Sequence, residues 1–202
     1  MPTVGELITN HLEYGSTYEK EKATAGYYTT TLKKYNIKVE ATATTRVGIS
    51  KYTFPKGKSN IILNLGLGLT NESGGSIKIV SPTEIEGIRN VGSFCYYKPE
   101  ESYPVYFVAK FSKPSKNFGI WKNTADFNGL EKQWMPYNGK TRTYKNYYKE
   151  VIGDSIGAYM CYNFIEPTEV EVRIGISYVS LSLIHISEPT RLLSISYSVL
   201  GL

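Results

Sequence analysis

Histidine, aspartate and cysteine, which often carry acid/base, nucleophilic or metal chemistry, are scarce in this 202-residue chain. It contains two histidines, His11 and His185, and two aspartates, Asp126 and Asp154. Both aspartates stand in loop-like sequence without a neighbouring histidine, which argues against paired acid/base work. The three glutamates within residues 13–21 have the polar surroundings of a solvated loop. The sequence therefore predicts neither a catalytic nor a metal site within the chain.

Aromatic side chains are the better candidates for contact with a ligand. Eighteen residues are tyrosine, and Trp121, Trp134 and Tyr137 stand in a polar segment, residues 113–150, where an exposed ring could stack on a sugar. The alternative is edge packing of the same rings between the sheets, which the sequence favours because buried aromatic rings contribute large contact areas. The three residues are therefore weak candidates for substrate binding.

The two cysteines, Cys95 and Cys161, leave two interpretations open. They could form one disulfide in an oxidising compartment, or they could both be buried thiols. Neither has a histidine beside it, so a core thiol is favoured over a nucleophile.

Charge and hydropathy exclude several kinds of partner. The net charge is +5, but lysines and arginines are scattered singly, whereas nucleic-acid binding needs a basic stripe. No run of about 18 apolar residues is present, so no membrane span is expected. The first twenty residues lack the basic start and apolar stretch of a signal peptide, so the chain is either cytoplasmic or without its natural N-terminus.

A periodicity of two dominates the chain and is typical of half-buried β-strands. Turn-forming residues such as Asn, Gly and Pro separate the alternating runs, and convincing helical periodicity is absent. This pattern predicts an all-β fold, an antiparallel β-sandwich, with residues 113–150 forming hairpins and long loops at its rim. The predicted strands are residues 36–44, 47–54, 60–67, 76–80, 84–91, 105–111, 156–165 and 169–179.

Residues 181–202 differ in character from the rest of the chain. Residues 181–191 match the translation of a transposase-based sequencing adapter, 192–194 fit an index, and 195–202 resemble the following primer with three departures. The alternative is a natural pair of strands, which the proline at 189 would interrupt. We interpret residues 181–202 as adapter-derived sequence rather than a domain, so His185 is excluded from functional arguments.

Five further stretches, taken in order, carry a family resemblance. They are EKATAGYYTTTL (21–32), VEATATTRVG (39–48), YTFP (52–55), VYFVAKFSKP (105–114) and VRIGISYVS (172–180). Together they resemble the N-terminal domain of glycoside hydrolase family 92, the calcium-dependent exo-acting α-mannosidases. The resemblance covers residues 1–180. It departs from the family pattern at Tyr18, Ala25 and Lys51, where His, Pro and Arg are usual.

The resemblance implies a fold and an activity for the intact protein. Family members join a β-sandwich of the supersandwich type to an (α/α)6 barrel and bind the sugar between them. Hydrolysis inverts the anomeric centre with two carboxyl groups. The acid, the base and the calcium ligands lie on the helical domain. Residues 1–180 are thus expected to be an incomplete sandwich domain, truncated at both ends, with no catalytic or metal-binding residue of its own.

Further expectations concern the surroundings of the intact enzyme. Its partners would be a mannose-containing glycan and the missing helical domain of the same chain. Calcium would be bound by the intact enzyme and not by this fragment. A signal upstream of Met1 would direct it to the periplasm, the cell surface or the medium. The alternative function is a stand-alone carbohydrate-binding or adhesive β-sandwich.

Overall fold

Fourteen strands form the framework of the chain, for which we obtained a computed structural model describing residues 1–67, 71–92, 101–123 and 141–187. In chain order the strands are β1 (Pro2–Val4), β2 (Tyr18–Thr24), β3 (Tyr27–Leu32), β4 (Ile37–Ala43), β5 (Val47–Phe54), β6 (Gly57–Asn64), β7 (Asn71–Ser81), β8 (Glu84–Gly92), β9 (Tyr103–Phe111), β10 (Asn117–Asn123), β11 (Thr141–Lys145), β12 (Val151–Gly153), β13 (Ile156–Phe164) and β14 (Thr168–Ser177).

The strands pair into two antiparallel sheets. The small sheet has the order β1-β6-β13-β10-β11, and the large sheet has the order β12-β7-β8-β9-β14-β5-β4-β3-β2. The chain passes repeatedly from one sheet to the other, as in β5 to β6 and β13 to β14. Each sheet is therefore built from segments that are distant in sequence.

The core lies between the two sheets and receives every second side chain of their central strands. Each such aliphatic or aromatic residue contributes about 1.5–3 kcal/mol when it is fully buried. The arrangement confirms the predicted all-β sandwich. The residues with the lowest exposure in this core include Ile37, Phe54, Ile77, Ile79, Ile85 and Val170 from the large sheet, and Ile61, Ile120, Ile156 and Met160 from the small sheet.

All eight strands predicted from periodicity are present, and the bounds of β5 agree at both ends. The prediction missed β1, β2, β3 and β12, and it described the region of β10 and β11 only as hairpins without strand bounds. In β2 every residue is exposed, so no apolar alternation marks it. The rim interpretation of residues 113–150 holds for β11, which is an edge strand, but is wrong for β10, which lies inside the small sheet and is buried from Phe118 to Trp121.

A short helix follows the last strand. Helix α1 (Leu181–Ser187) places Ile184 against the large sheet, where only 7% of the residue is exposed. A Cβ atom added at Gly175 would lie 2.8 Å from Ile184 Cγ2. The adapter-derived origin of this segment stays a prediction, and residues 188–202 lie outside the described residues. No helix in the described ranges is both long and apolar enough to cross a membrane.

Candidate functional site

Trp121 lies on the outer side of the small sheet, where it packs with Tyr14, Ile62 and Tyr159. Its neighbour Ile120 points the other way, into the main core. Only 1% of Trp121 is exposed, so neither ring face is open to a sugar. The structure thus gives Trp121 a packing role, on the outer face of a sheet rather than between sheets. The other two candidates, Trp134 and Tyr137, lie outside the described residues.

Gly157 provides the space that the indole of Trp121 occupies. The two residues are opposite each other on β13 and β10. A Cβ atom added at Gly157 would lie 2.2 Å from Trp121 Cζ2 and 2.4 Å from the carbonyl oxygen of Leu63. No real side chain tolerates such distances, so this position requires a residue without Cβ.

The tyrosines that follow β10 in the chain also pack within the fold. The rings of Tyr144 and Tyr147 are 5.1 Å apart, and both residues pack against the main core. Tyr148 contacts Phe118 at the same centroid distance in an edge-to-face arrangement. Offset and edge-to-face pairs of this kind stabilise a packed structure.

The acidic residues that the sequence singles out stand apart from one another. Glu13 accepts a hydrogen bond from Asn10 at 2.6 Å, and Glu21 accepts one from the Tyr28 hydroxyl at 2.7 Å. Both bonds are exposed. Asp154 lies elsewhere, in the turn between β12 and β13, and Asp126 is outside the described residues. Among the described members of this group, the hydrogen bonds of Glu13 and Glu21 go to an amide and a phenol and form no acid/base pair.

Cys161 is a free and partly buried thiol on β13. Burial raises the pKa of this thiol to about 11. Since the thiolate is the nucleophilic form, the group is inert at neutral pH. Cys95, its partner in the disulfide alternative, lies outside the described residues, so both alternatives for the cysteine pair stay predictions.

Alkylation should report this buried thiol directly. We expect Cys161 in the folded chain at pH 8 to react with iodoacetamide about 100-fold more slowly than in urea, because the raised pKa leaves far less thiolate. Mass spectrometry of the peptide containing Cys161 measures both rates. Equal rates in the two conditions would contradict the burial and the raised pKa.

An ionic cluster occupies the outer face of the large sheet. The Glu40 carboxylate is 3.2 Å from the ammonium groups of both Lys38 and Lys51, and the Tyr27 hydroxyl donates a hydrogen bond to it at 2.6 Å. Lys51 also lies 3.5 Å from Glu169. Burial alone would raise the pKa of Glu40, but hydrogen bonds from Tyr27, Lys51 and Lys38 outweigh it and hold the pKa below its usual range. The carboxylate therefore stays ionised and ties three strands together.

A groove beside this cluster is the candidate binding site of the described chain. It has a volume of about 510 Å³ and is bordered by Phe54, Pro55 and Pro167. We call it the polar groove. Its polar lining consists of Lys20, Thr29, Thr31, Asn36, Lys38 and Thr53.

The strand register explains how residues so distant in sequence meet in the polar groove. Thr31 on β3 is opposite Lys38 on β4, which is opposite Thr53 on β5. Side chains at paired positions of adjacent strands point to the same face of a sheet. The three residues therefore form a continuous row across the outer face of the large sheet.

The comparison with sequence models of protein families identifies the family of this β-sandwich. The sequence model of the glycosyl hydrolase family 92 N-terminal domain matches residues 1–177. The chain belongs to this family. The family 92 match spans all strands from β1 to β14 and confirms the resemblance found in the sequence motifs.

Solved structures of family 92 proteins share the fold of this family 92 chain. The family GH92 α-mannosidase BT3965 from Bacteroides thetaiotaomicron superposes with a TM-score of 0.75 at 24% identity, over 97% of this chain and 26% of that chain. The family GH92 inverting mannosidase BT2199 from Bacteroides thetaiotaomicron VPI-5482 gives a TM-score of 0.71 at 20% identity, over 98% and 24%. The family 92 chain thus spans about a quarter of the length of these structures. A comparison with curated proteins gives no match.

Calcium, which the family resemblance implies for the intact enzyme, meets no cluster of acidic side chains in the described part of this family 92 domain. Calcium binds six to eight oxygen atoms, largely from carboxylates and carbonyls. Among residues 1–67, 71–92, 101–123 and 141–187, no three His, Cys, Asp or Glu side chains lie together as metal ligands would. We therefore assign no step of a reaction to calcium at these residues.

Proposed function

We propose that this chain is the sandwich portion of an exo-acting α-mannosidase, in which it forms one wall of the cleft that binds a mannose-containing glycan. The observation that carries the proposal is the family 92 match over residues 1–177. Two proteins of the same fold are named as mannosidases, and one of them as inverting. Because this chain spans only about a quarter of their length, it is proposed to act together with a much larger remainder.

The chemistry of this proposal assigns the reacting groups to that remainder. Inverting hydrolysis requires a carboxylic acid that protonates the leaving oxygen and a carboxylate that activates water, about 6.5–9.5 Å apart. Both groups and the calcium ligands are proposed to lie on a helical domain of the same polypeptide. The sandwich contributes a rigid support whose core fixes the position of the cleft wall. The proposed location of the intact enzyme is the periplasm, the cell surface or the medium, where polymeric glycans are met.

The chain on its own is expected to be inactive. With 4-nitrophenyl α-mannoside or an α-linked mannobiose, the purified 202-residue chain should release no mannose above the uncatalysed rate, with calcium or with a chelator. The protein expressed from the complete reading frame should release mannose in the presence of calcium and lose this activity in the chelator. The physical reason is that the acid and the base are both absent from the chain, and hydrolysis of this kind needs the two together.

Two outcomes would contradict the proposal in different ways. Calcium-dependent release of mannose by the 202-residue chain would show that the reacting groups have been placed on the wrong domain. A reading frame that stops soon after residue 180, with a product that binds glycans and hydrolyses none, would support the stand-alone binding module instead. The control is the intact enzyme assayed with calcium and with chelator. It shows whether release of mannose depends on calcium when the helical domain is present.

A further inference from the structure

The backbone of the polar groove is unusual at two of the residues that line it. Lys20 has a φ of 53° and Asn36 a φ of 50°, and among the described residues only one other non-glycine residue, Asn146, has a positive φ. Asparagine tolerates the left-handed region well, whereas lysine rarely adopts it. A conformation of this kind persists only where the surrounding structure enforces it, and such positions cluster at ligand-binding sites.

The strained lysine belongs to a β-bulge that directs its side chain to the groove. The pairing of β2 with β3 shifts register between Glu19 and Lys22, and Lys20 lies inside this shift. Bulges bend the strand locally and turn a side chain away from the direction that regular pleating would give it. Lys20 thus borders the same groove as Thr31, Lys38 and Thr53.

Hydrogen-bond donors of the groove are left available by the rest of the fold. Within the part of the chain that the structure describes, the side chains of Lys20, Thr31, Asn36 and Thr53 form no hydrogen bond or ion pair. Lys38 contacts one carboxylate oxygen, so it keeps further N–H groups for another partner. Ammonium, amide and hydroxyl groups can all donate, which suits a ligand rich in acceptor oxygens.

The carboxylates near the groove do not line it. Glu40 is held between two ammonium groups, and Glu169, which is opposite Thr53, contacts Lys51. Glu19 is opposite Thr31 at the edge of the sheet. The lining itself contains two lysines and no acidic residue. Of these two lysines, Lys38 is paired with Glu40, so the charge that the groove offers without a carboxylate partner is that of Lys20.

We propose that the polar groove binds an oxyanion of the sulfate or phosphate type, with Lys20 and Lys38 opposing its charge. Thr31, Asn36 and Thr53 donate hydrogen bonds to its oxygen atoms. The volume of about 510 Å³ exceeds that of a single tetrahedral anion and accommodates one carried on a sugar ring. The groove lies on the outer face of the large sheet, and binding of an anion there does not depend on hydrolysis of a glycan. A bulge that serves only to protect the edge strand β2 from pairing with other chains is the competing explanation.

Titration of the isotope-labelled 202-residue chain with sodium sulfate, at constant ionic strength and followed by amide chemical shifts, tests this proposal. We expect saturable shifts at Thr31, Asn36, Lys38 and Thr53. Lys20→Gln should weaken binding by about tenfold or more, because it removes a charge-assisted hydrogen bond. The matched control is Lys149→Gln, which also removes one positive charge but at an exposed lysine outside the groove. Thr53→Val, which keeps the shape and removes one donor, should weaken binding severalfold.

Two further titrations, with glucose 6-sulfate and with glucose, identify the source of the anion. Tighter binding of glucose 6-sulfate than of both sulfate and glucose would support an anion carried on a sugar. Equal binding of glucose 6-sulfate and inorganic sulfate would support a free anion.

The proposal is overturned if sulfate causes no saturable shift at the groove. It is equally overturned if Lys20→Gln and Lys149→Gln weaken binding to the same extent, since the effect is then general charge. If Lys20→Gln fails to fold, Thr53→Val alone decides between these outcomes.

Discussion

Trp121→Ala should lower the free energy of unfolding by about 3–5 kcal/mol, the range for removal of a buried tryptophan side chain. Only 1% of Trp121 is exposed, and the cavity left behind would be lined by Tyr14, Ile62 and Tyr159. Since a domain of this size has about 5–15 kcal/mol of total stability, the variant would lose a large part of it. Chemical denaturation followed by circular dichroism measures the loss, and Tm should fall by ~10 °C.

A matched aromatic substitution separates this packing effect from a general loss of aromatic surface. Tyr18→Ala removes a ring that is 59% exposed on the edge strand β2 and should change stability by about 0.5 kcal/mol or less. If instead Trp121→Ala left the unfolding midpoint unchanged and weakened binding of a glycan, Trp121 would be a ligand contact. That outcome would contradict its position in the buried cluster with Tyr14, Ile62 and Tyr159.

Gly157→Ala should destabilise the chain by about 3 kcal/mol, at the upper end of the usual cost of overpacking. The added methyl group would meet two carbon atoms of the Trp121 ring at 2.2 and 2.3 Å and the Leu63 carbonyl oxygen at 2.4 Å. The ring sits in a filled cluster, so it cannot move without disturbing its neighbours. The unfolding midpoint in denaturant, compared with that of the parent chain, measures the effect.

Two further variants test the cause of this expected loss. In a Trp121→Phe background the smaller ring should reduce the cost of Gly157→Ala, with a coupling energy of about 1 kcal/mol or more. Part of the cost should remain, because the contact with the Leu63 carbonyl does not depend on the ring. The matched control is Gly48→Ala on β5, where an added Cβ meets nothing within 4 Å and the change should be about 0.5 kcal/mol or less. Equal losses at Gly157 and Gly48 would show that steric contact is not the cause.

Much of the sandwich could be predicted from the residues because a buried sheet face imposes a periodicity of two. In β5, Tyr52 and Phe54 face the core while Lys51 and Thr53 face outward, and buried Val47 and Ile49 form a separate cluster on that outward face. Its β-forming residues between turn formers marked both ends of the strand. In β2 no residue is buried, so nothing in its sequence distinguishes it from a loop. The pairing with β3 that makes β2 a strand is a tertiary property.

The candidate site was harder to predict from the sequence, because it too depends on which strands pair and in what register. Glutamate at 40 and lysine at 51 are ordinary polar residues of strands, and only their register brings the two charges to 3.2 Å. Nothing in the sequence marked Lys20 as a groove residue, because neither a positive φ at a lysine nor a register shift can be recognised from residue types. Trp121 carried an ambiguous signal, because its polar segment allowed an exposed ring while packing was favoured, and the folded chain buries it.

The sequence alone determined the fold class and the family of this protein, because strand alternation and the ordered motifs from residue 21 to residue 180 are local patterns. It also determined that histidine and aspartate, which carry much acid/base and metal chemistry, are nearly absent. Only the tertiary structure decided that Trp121 packs over Gly157 and that Lys20, Thr31, Lys38 and Thr53 line one groove. These relations depend on which strands pair and in what register, and that choice is made by the whole core rather than by any one segment.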